Sequence, residues 1–153
     1  MTGFKILMKN KMQYPYIASL TSVLMMVSMY TGAHVPTTGV TVEKVLQTSK
    51  SWDGVSYISY PKGKPELSIL KITVQPHTTL AWHTHSMPNA AYVLSGHLVV
   101  EKKDDGMKKT IHTGETLAET VGTIHHGYTE DEPVTLIVFY AGTEGLPLSE
   151  TAK

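Results

Sequence analysis

Residues 83–96 read HTHSMPNAAYVLSG, and the first three letters govern how the rest is taken. Side chains alternate faces along an extended chain, so His83 and His85 project to the same side, one pleat apart, close enough to chelate a single ion. Taken alone, H-x-H is equally the pattern of two histidines on a solvent face. The continuation AAYVLSG reads as a short strand closed by Gly96. On a regular strand Asn89, Ala91 and Val93 share one face, a small apolar wall. Tyr92 then points away, toward the exterior or a subunit interface.

Similar segments lie on both sides. LSILKITV (67–74), AWHTH (81–85), HLVVEKK (97–103), MKKTIHT (107–113), ETLAET (115–120), HHGYT (125–129) and VTLIVFYAG (134–142) are short and turn-bounded. Asp104, Asp105 and Gly106 mark one hairpin loop, and Glu130 to Pro133 another. Seven or eight such strands predict an all-β barrel or sandwich over residues 65–142. Residues 34–64 are mixed and predict an arm packed on that barrel. Within it, Val42 to Thr48 suits a short helix or an edge strand, and Trp52, Asp53 and Gly54 suit a turn. The tail, 143–153, is expected at the surface.

Residues 1–33 differ from the rest. Lys5, Lys9 and Lys11 precede an uncharged stretch from Tyr14 to Ala33 that ends in small residues. This is the layout of a secretory signal peptide, with cleavage expected after Ala33. An uncleaved membrane anchor is the alternative, since about 18 apolar residues nearly span a bilayer. Both place the domain outside the cytosol, periplasmic or secreted, with membrane contact only through this segment.

At 153 residues the chain has room for one domain. Thirteen Lys and Arg balance thirteen Asp and Glu, so no basic footprint points to nucleic acid. The absence of cysteine excludes disulfides, thiolate zinc sites and a cysteine nucleophile. Any metal is therefore held by nitrogen and oxygen. Eight histidines make imidazole the first ligand to consider.

Two segments carry a resemblance. HTHSMPNAAYVLSG (83–96) and GETLAETVGTIHHGYT (114–129) resemble the two motifs of the cupin family, G-x5-H-x-H-x3,4-E-x6-G and G-x5-P-x-G-x2-H-x3-N. Gly96 and Gly114 are separated by the compact spacing of small bacterial cupins. The resemblance implies a double-stranded β-helix, the jelly-roll barrel of that family, with a divalent transition metal (Fe, Mn, Ni, Cu or Zn) inside it. Carried over residue by residue, it places His83, His85 and His125 on the three histidine ligands. Gly96, Gly114 and Gly122 fall on turn glycines. Four positions depart from the pattern: His77 replaces the first glycine, Asn89 the glutamate ligand, Thr120 the proline and Thr129 the final asparagine.

Asn89 is the departure that touches the chemistry. It offers at most a neutral carbonyl oxygen, so a site of three imidazoles and Asn89 stays near +2 where a glutamate would bring it to +1. Such a site is expected to hold metal less tightly and to attract an anionic or enolisable ligand. Asn89 following Pro88 is also a loop-capping pattern. Glu119 is the candidate general base, or the group that orients a ligand histidine; a solvated strand glutamate is the plainer alternative. His126 is expected on the face opposite His125, Trp82 in packing, and Tyr128 and Tyr140 as pocket donors or core aromatics. His34, His77, His97 and His112 lack a spacing partner and read as structural or exposed.

Two functions fit. One is an exported metal-dependent enzyme acting on a small oxygenated or anionic metabolite, with oxygenase, isomerase or lyase chemistry. The other is a non-catalytic cupin that binds or senses a small molecule or a metal. A structural module with idle histidines is a third. The resemblance also implies a homodimer through the outer sheets.

Overall fold

The computed structural model describes residues 39–152. The expected signal or anchor segment, 1–33, and His34 lie outside the described residues. Of the unit Met1–Val40 only Gly39 and Val40 are described; the rest belong to the unit that begins at Thr41.

Nine strands follow one another: β1 (Pro65–Val74), β2 (His83–Thr84), β3 (Asn89–Ser95), β4 (His97–Lys102), β5 (Lys108–His112), β6 (Thr116–Ala118), β7 (His125–Tyr128), β8 (Val134–Thr143) and β9 (Glu150–Thr151). Among the described residues there is no helix, and so none long and apolar enough to cross a membrane. All pairings are antiparallel, in two sheets ordered β1-β8-β3-β6 and β5-β4-β7-β2-β9. This is the all-β, two-sheet architecture the strand pattern predicts.

Period-two alternation decides which side chains enter the core. In β8, Val134, Leu136, Val138 and Tyr140 are buried while Phe139 is exposed; in β3, Ala91 and Val93 are buried. Leu98 and Val100 from β4, Ile111 from β5 and Leu117 from β6 complete the cluster between the sheets. At about 25 cal/mol per Å² of apolar surface removed from water, these aliphatic side chains are the main source of stability.

Two of the substituted motif positions show how the barrel closes without the usual residues. His77 takes the place of a glycine with its backbone at φ 54°, the left-handed conformation that glycine adopts most easily. Thr129 replaces the asparagine as a tie: its hydroxyl donates to the Gln75 carbonyl at 2.5 Å and accepts the Thr78 N–H at 3.0 Å. Gly96 is retained for room, since a Cβ there would run into the Pro133 carbonyl.

The arm and the tail differ from expectation. Val42 to Thr48 is neither helix nor strand; it is exposed and held by the Thr116 hydroxyl donating to the Val45 carbonyl at 3.1 Å. The following turn docks firmly: Trp52 N–H donates to the Ala118 carbonyl at 2.8 Å, and buried Asp53 sits 3.2 Å from Lys102 Nζ. The tail stays near the surface but is not a loose end. It forms β9 on β2, and Leu146 and Leu148 pack against the core.

Candidate metal centre

The antiparallel pairing of β2 with β7 sets His83 directly opposite His125, and opposite residues in such a pair share a face. His85 follows two residues after His83. The three rings meet, with centroids 5.0 Å (His83–His85), 4.5 Å (His83–His125) and 5.2 Å (His85–His125) apart. One ligand nitrogen from each lies within 4.8 Å of the others.

The tautomers are set by the backbone. Nδ1 of His83 donates to the Ala81 carbonyl at 2.8 Å, Nδ1 of His85 to the Leu148 carbonyl at 2.7 Å and Nδ1 of His125 to the Thr123 carbonyl at 2.9 Å. A carbonyl can only accept, so each Nδ1 carries the hydrogen and each Nε2 keeps its lone pair when the ring is neutral. Thr120 Oγ1, 3.1 Å from His125 Nδ1, buttresses the same ring. His125 Nε2 is buried without a hydrogen-bond partner, a cost the fold bears at a site built to hold something.

Electrostatics divide the three. Burial, which disfavours the charged ring, holds His83 and His85 below the usual histidine value. Burial pushes His125 the same way, but the Glu119 carboxylate beside it outweighs burial and leaves His125 raised. Glu119 Oε2 lies 3.3 Å from His125 Nε2. The two atoms are not aligned as a hydrogen bond, and both are buried without a hydrogen-bond partner. Glu119 thus meets His125 at the nitrogen facing the site, not at the Nδ1 through which a carboxylate would orient the ring.

The cavity before the histidines measures about 60 Å³; Ile72, Leu80, Leu98, Val100, Leu136 and Val138 form its walls, with Glu119 and Tyr140 as its polar lining besides the histidines. Gly127, two residues after His125, leaves space that the Leu98 side chain fills. Asn89 is buried on the inward face of β3 with Ala91 and Val93 but is not among the residues lining this cavity; it also borders a larger groove, of about 670 Å³, on the arm side of the sheet. Its Nδ2 donates to the Met87 carbonyl at 3.4 Å and its Oδ1 has no hydrogen-bond partner. Ala91 and Val93, expected in a pocket wall, are core residues outside the cavity lining.

Tyr140 enters the cavity, 5.8 Å from the His85 ring, its hydroxyl pushed up by burial and by the Glu119 charge. Tyr128 stays outside with Lys108. His126 faces away from His125 and stacks on Trp82 at 3.7 Å, while His97 and His112 adjoin each other at 5.6 Å. Sequence reasoning missed the carbonyls that fix the rings and the role of Tyr57, whose hydroxyl donates to the Glu119 carbonyl at 2.6 Å. Backbone acceptors carry no sequence signal. For Leu148 only the apolar pair Leu146 and Leu148 in a polar tail hinted at docking.

A family model described as the cupin domain matches residues 70–140. Similar solved structures include the DMSP lyase DddQ from Ruegeria pomeroyi, 15% identical with a TM-score of 0.51 over 56% of this chain and 43% of that one. The polyketide cyclase RemF from Streptomyces resistomycificus is 18% identical, with a TM-score of 0.51 over 60% of this chain and 63% of its own. A cupin-like protein from Thermotoga maritima is 15% identical, with a TM-score of 0.50 over 56% and 64%. The chain therefore spans less than two thirds of each of these proteins, and the likeness is one of fold. No curated protein matches the sequence.

Proposed function

We propose, from the match of a cupin-domain model to residues 70–140, that this chain is a metal-dependent cupin whose His83, His85 and His125 hold one divalent transition ion, Fe, Mn, Ni, Cu or Zn. The observation that carries this reading is the convergence of one ring nitrogen from each of three histidines whose Nδ1 atoms are all committed to backbone carbonyls, leaving Nε2 as the donor. A bound ion of this class supplies Lewis acidity, or redox capacity in the case of iron and copper. The chain's own residues hold the rings, exclude water with aliphatic walls and present Glu119 and Tyr140 as proton-handling groups.

The substrate we propose is a small oxygenated or anionic metabolite, and the reaction one of the oxygenase, isomerase or lyase type. A cavity of about 60 Å³ is far below the roughly 300 Å³ of the smallest drug-sized pockets. It admits the head of a ligand, such as a carboxylate or a carbonyl, beside the ion. The same small volume favours a second reading, capture or sensing of a metal or small ligand without turnover. Asn89 adds no charge in either case.

Export through residues 1–33, as a cleaved signal or an anchor, and association as a homodimer belong to the same proposal. Cell fractionation with N-terminal sequencing tests the first. For the metal, elemental analysis of natively exported protein beside a His125→Ala variant is decisive: we expect one ion per chain in the former and little in the latter. Equal metal content in both would overturn the site.

A further inference from the structure

Three neutral imidazoles leave a divalent ion at its full charge, and the described residues place one carboxylate in the cavity with them, that of Glu119. Its position in the sheet is informative. The pairing of β3 with β6 sets Ala90 opposite Ala118 and Ala91 opposite Leu117. The ladder continues by one residue, because Glu119 N–H donates to the Asn89 carbonyl at 3.0 Å. Glu119 is therefore the direct cross-strand neighbour of Asn89, and such neighbours share a face about 4.5–5.5 Å apart. It lies two residues after Leu117, which is buried between the sheets, so alternation turns Glu119 inward as well.

Its backbone is fixed from both sides, by the Asn89 carbonyl and by the Tyr57 hydroxyl at 2.6 Å. Its side chain is 13% exposed, and Oε2 is fully buried. Within 3.3 Å of that oxygen lies His125 Nε2, one of the three converging donors. With metal–ligand bonds of about 2.0–2.2 Å, two donors at this separation can share one ion. Apart from the His125 ring, Oε2 has no hydrogen-bond partner, and a cation between the two atoms would satisfy both.

We infer that Glu119 is a ligand of the metal and supplies its compensating negative charge from the strand beside Asn89. Asn89 is then free of that duty, and the charge has moved across one rung of the ladder without leaving the site. This rests on the three-histidine reading above. It makes Glu119 a direct donor whose first task is to bind the ion.

The test is metal affinity, with no assay of turnover. Zinc affinity is measured by competition with a chromophoric chelator for the unsubstituted protein, Glu119→Gln, the double variant Glu119→Gln/Asn89→Glu, and His125→Ala. We expect Glu119→Gln to lose at least about 10-fold in affinity and the double variant to regain most of it, since a glutamate at 89 can reach the same face. The visible spectrum of the cobalt(II)-loaded protein should change in Glu119→Gln, as a ligand is lost. Affinity within about 2-fold of the unsubstituted protein in Glu119→Gln, with an unchanged cobalt spectrum, would overturn Glu119 as a ligand while the histidine centre stood. Equal zinc affinity in His125→Ala would instead overturn the histidine centre. Glu119→Gln preserves shape, and circular dichroism of each metal-free variant separates ligand loss from misfolding.

Discussion

At the residue scale, protons would compete with the proposed ion for the three histidine rings, and unevenly. His83 and His85, lowered by burial, are neutral at pH 7. His125, raised by Glu119, keeps its proton to higher pH, so an entering ion must displace it. The sign follows: apparent affinity falls as pH drops through the raised His125 value, before His83 and His85 protonate, and binding at or below that value releases protons. Calorimetry in buffers of different ionisation enthalpy should register this release, and Glu119→Gln, which removes the cause of the shift, should diminish it. Affinity that stayed flat between about pH 5 and 8 would contradict the assignment. In the core, Leu117 is 1% exposed, and Leu117→Ala should cost about 2–5 kcal/mol in denaturant unfolding. Because Leu117 lies two residues from Glu119, part of that cost should appear as weakened metal binding.

At the scale of elements, the arm and the tail do more than expected of them. Ser51 to Tyr57 clamps the end of β6 through the Trp52 N–H and the Tyr57 hydroxyl, whose acidity burial and nearby carboxylates suppress to a pKa of about 12. Tyr57→Phe removes one hydrogen bond and should lower stability by about 1 kcal/mol; it should also loosen Glu119, seen as a modest fall in zinc affinity. The tail contributes the carbonyl that orders His85. Removing residues 146–153 should reduce metal affinity and the melting temperature together, while Leu148→Ala, which keeps the carbonyl, should lower stability more than affinity. The strands themselves were readable because short apolar, β-branched runs bounded by turn residues mark them: VTLIVFYAG reads as one strand, and β8 covers it, with Val134, Leu136, Val138 and Tyr140 on its buried face. The arm was not, since Val42, Val45 and Leu46 look like a buried stripe but remain exposed beside β6, tied by a threonine hydroxyl.

At the scale of the molecule, the outer face of the four-stranded sheet is unusually apolar. Ile69 and Phe139 sit opposite each other at 67% and 38% exposure, and Leu67 adjoins them at 68%. If this face seats a second copy, Ile69→Lys should yield monomers by light scattering and leave the metal content unchanged. The barrel and its three histidines could be read from the sequence because both depend on local spacing and on motif order. The place of the proposed negative charge could not. It follows from which residue, just past the end of β6, falls opposite Asn89, and register is a property of two segments together.

The hydrogen bond from His85 to Leu148 joins residues 63 positions apart. During synthesis His85 and His83 leave the ribosome well before the residue that sets the tautomer of His85, and before β9 can pair with β2. A nascent chain therefore offers only a loose H-x-H pair, with no preferred nitrogen and no cavity around it. On the proposed metal reading, selection waits until residues 146–148 have been made and have docked. If the chain is exported as proposed, that delay has a geographic meaning: the ion would be drawn from the compartment where folding finishes, not from the one where translation began.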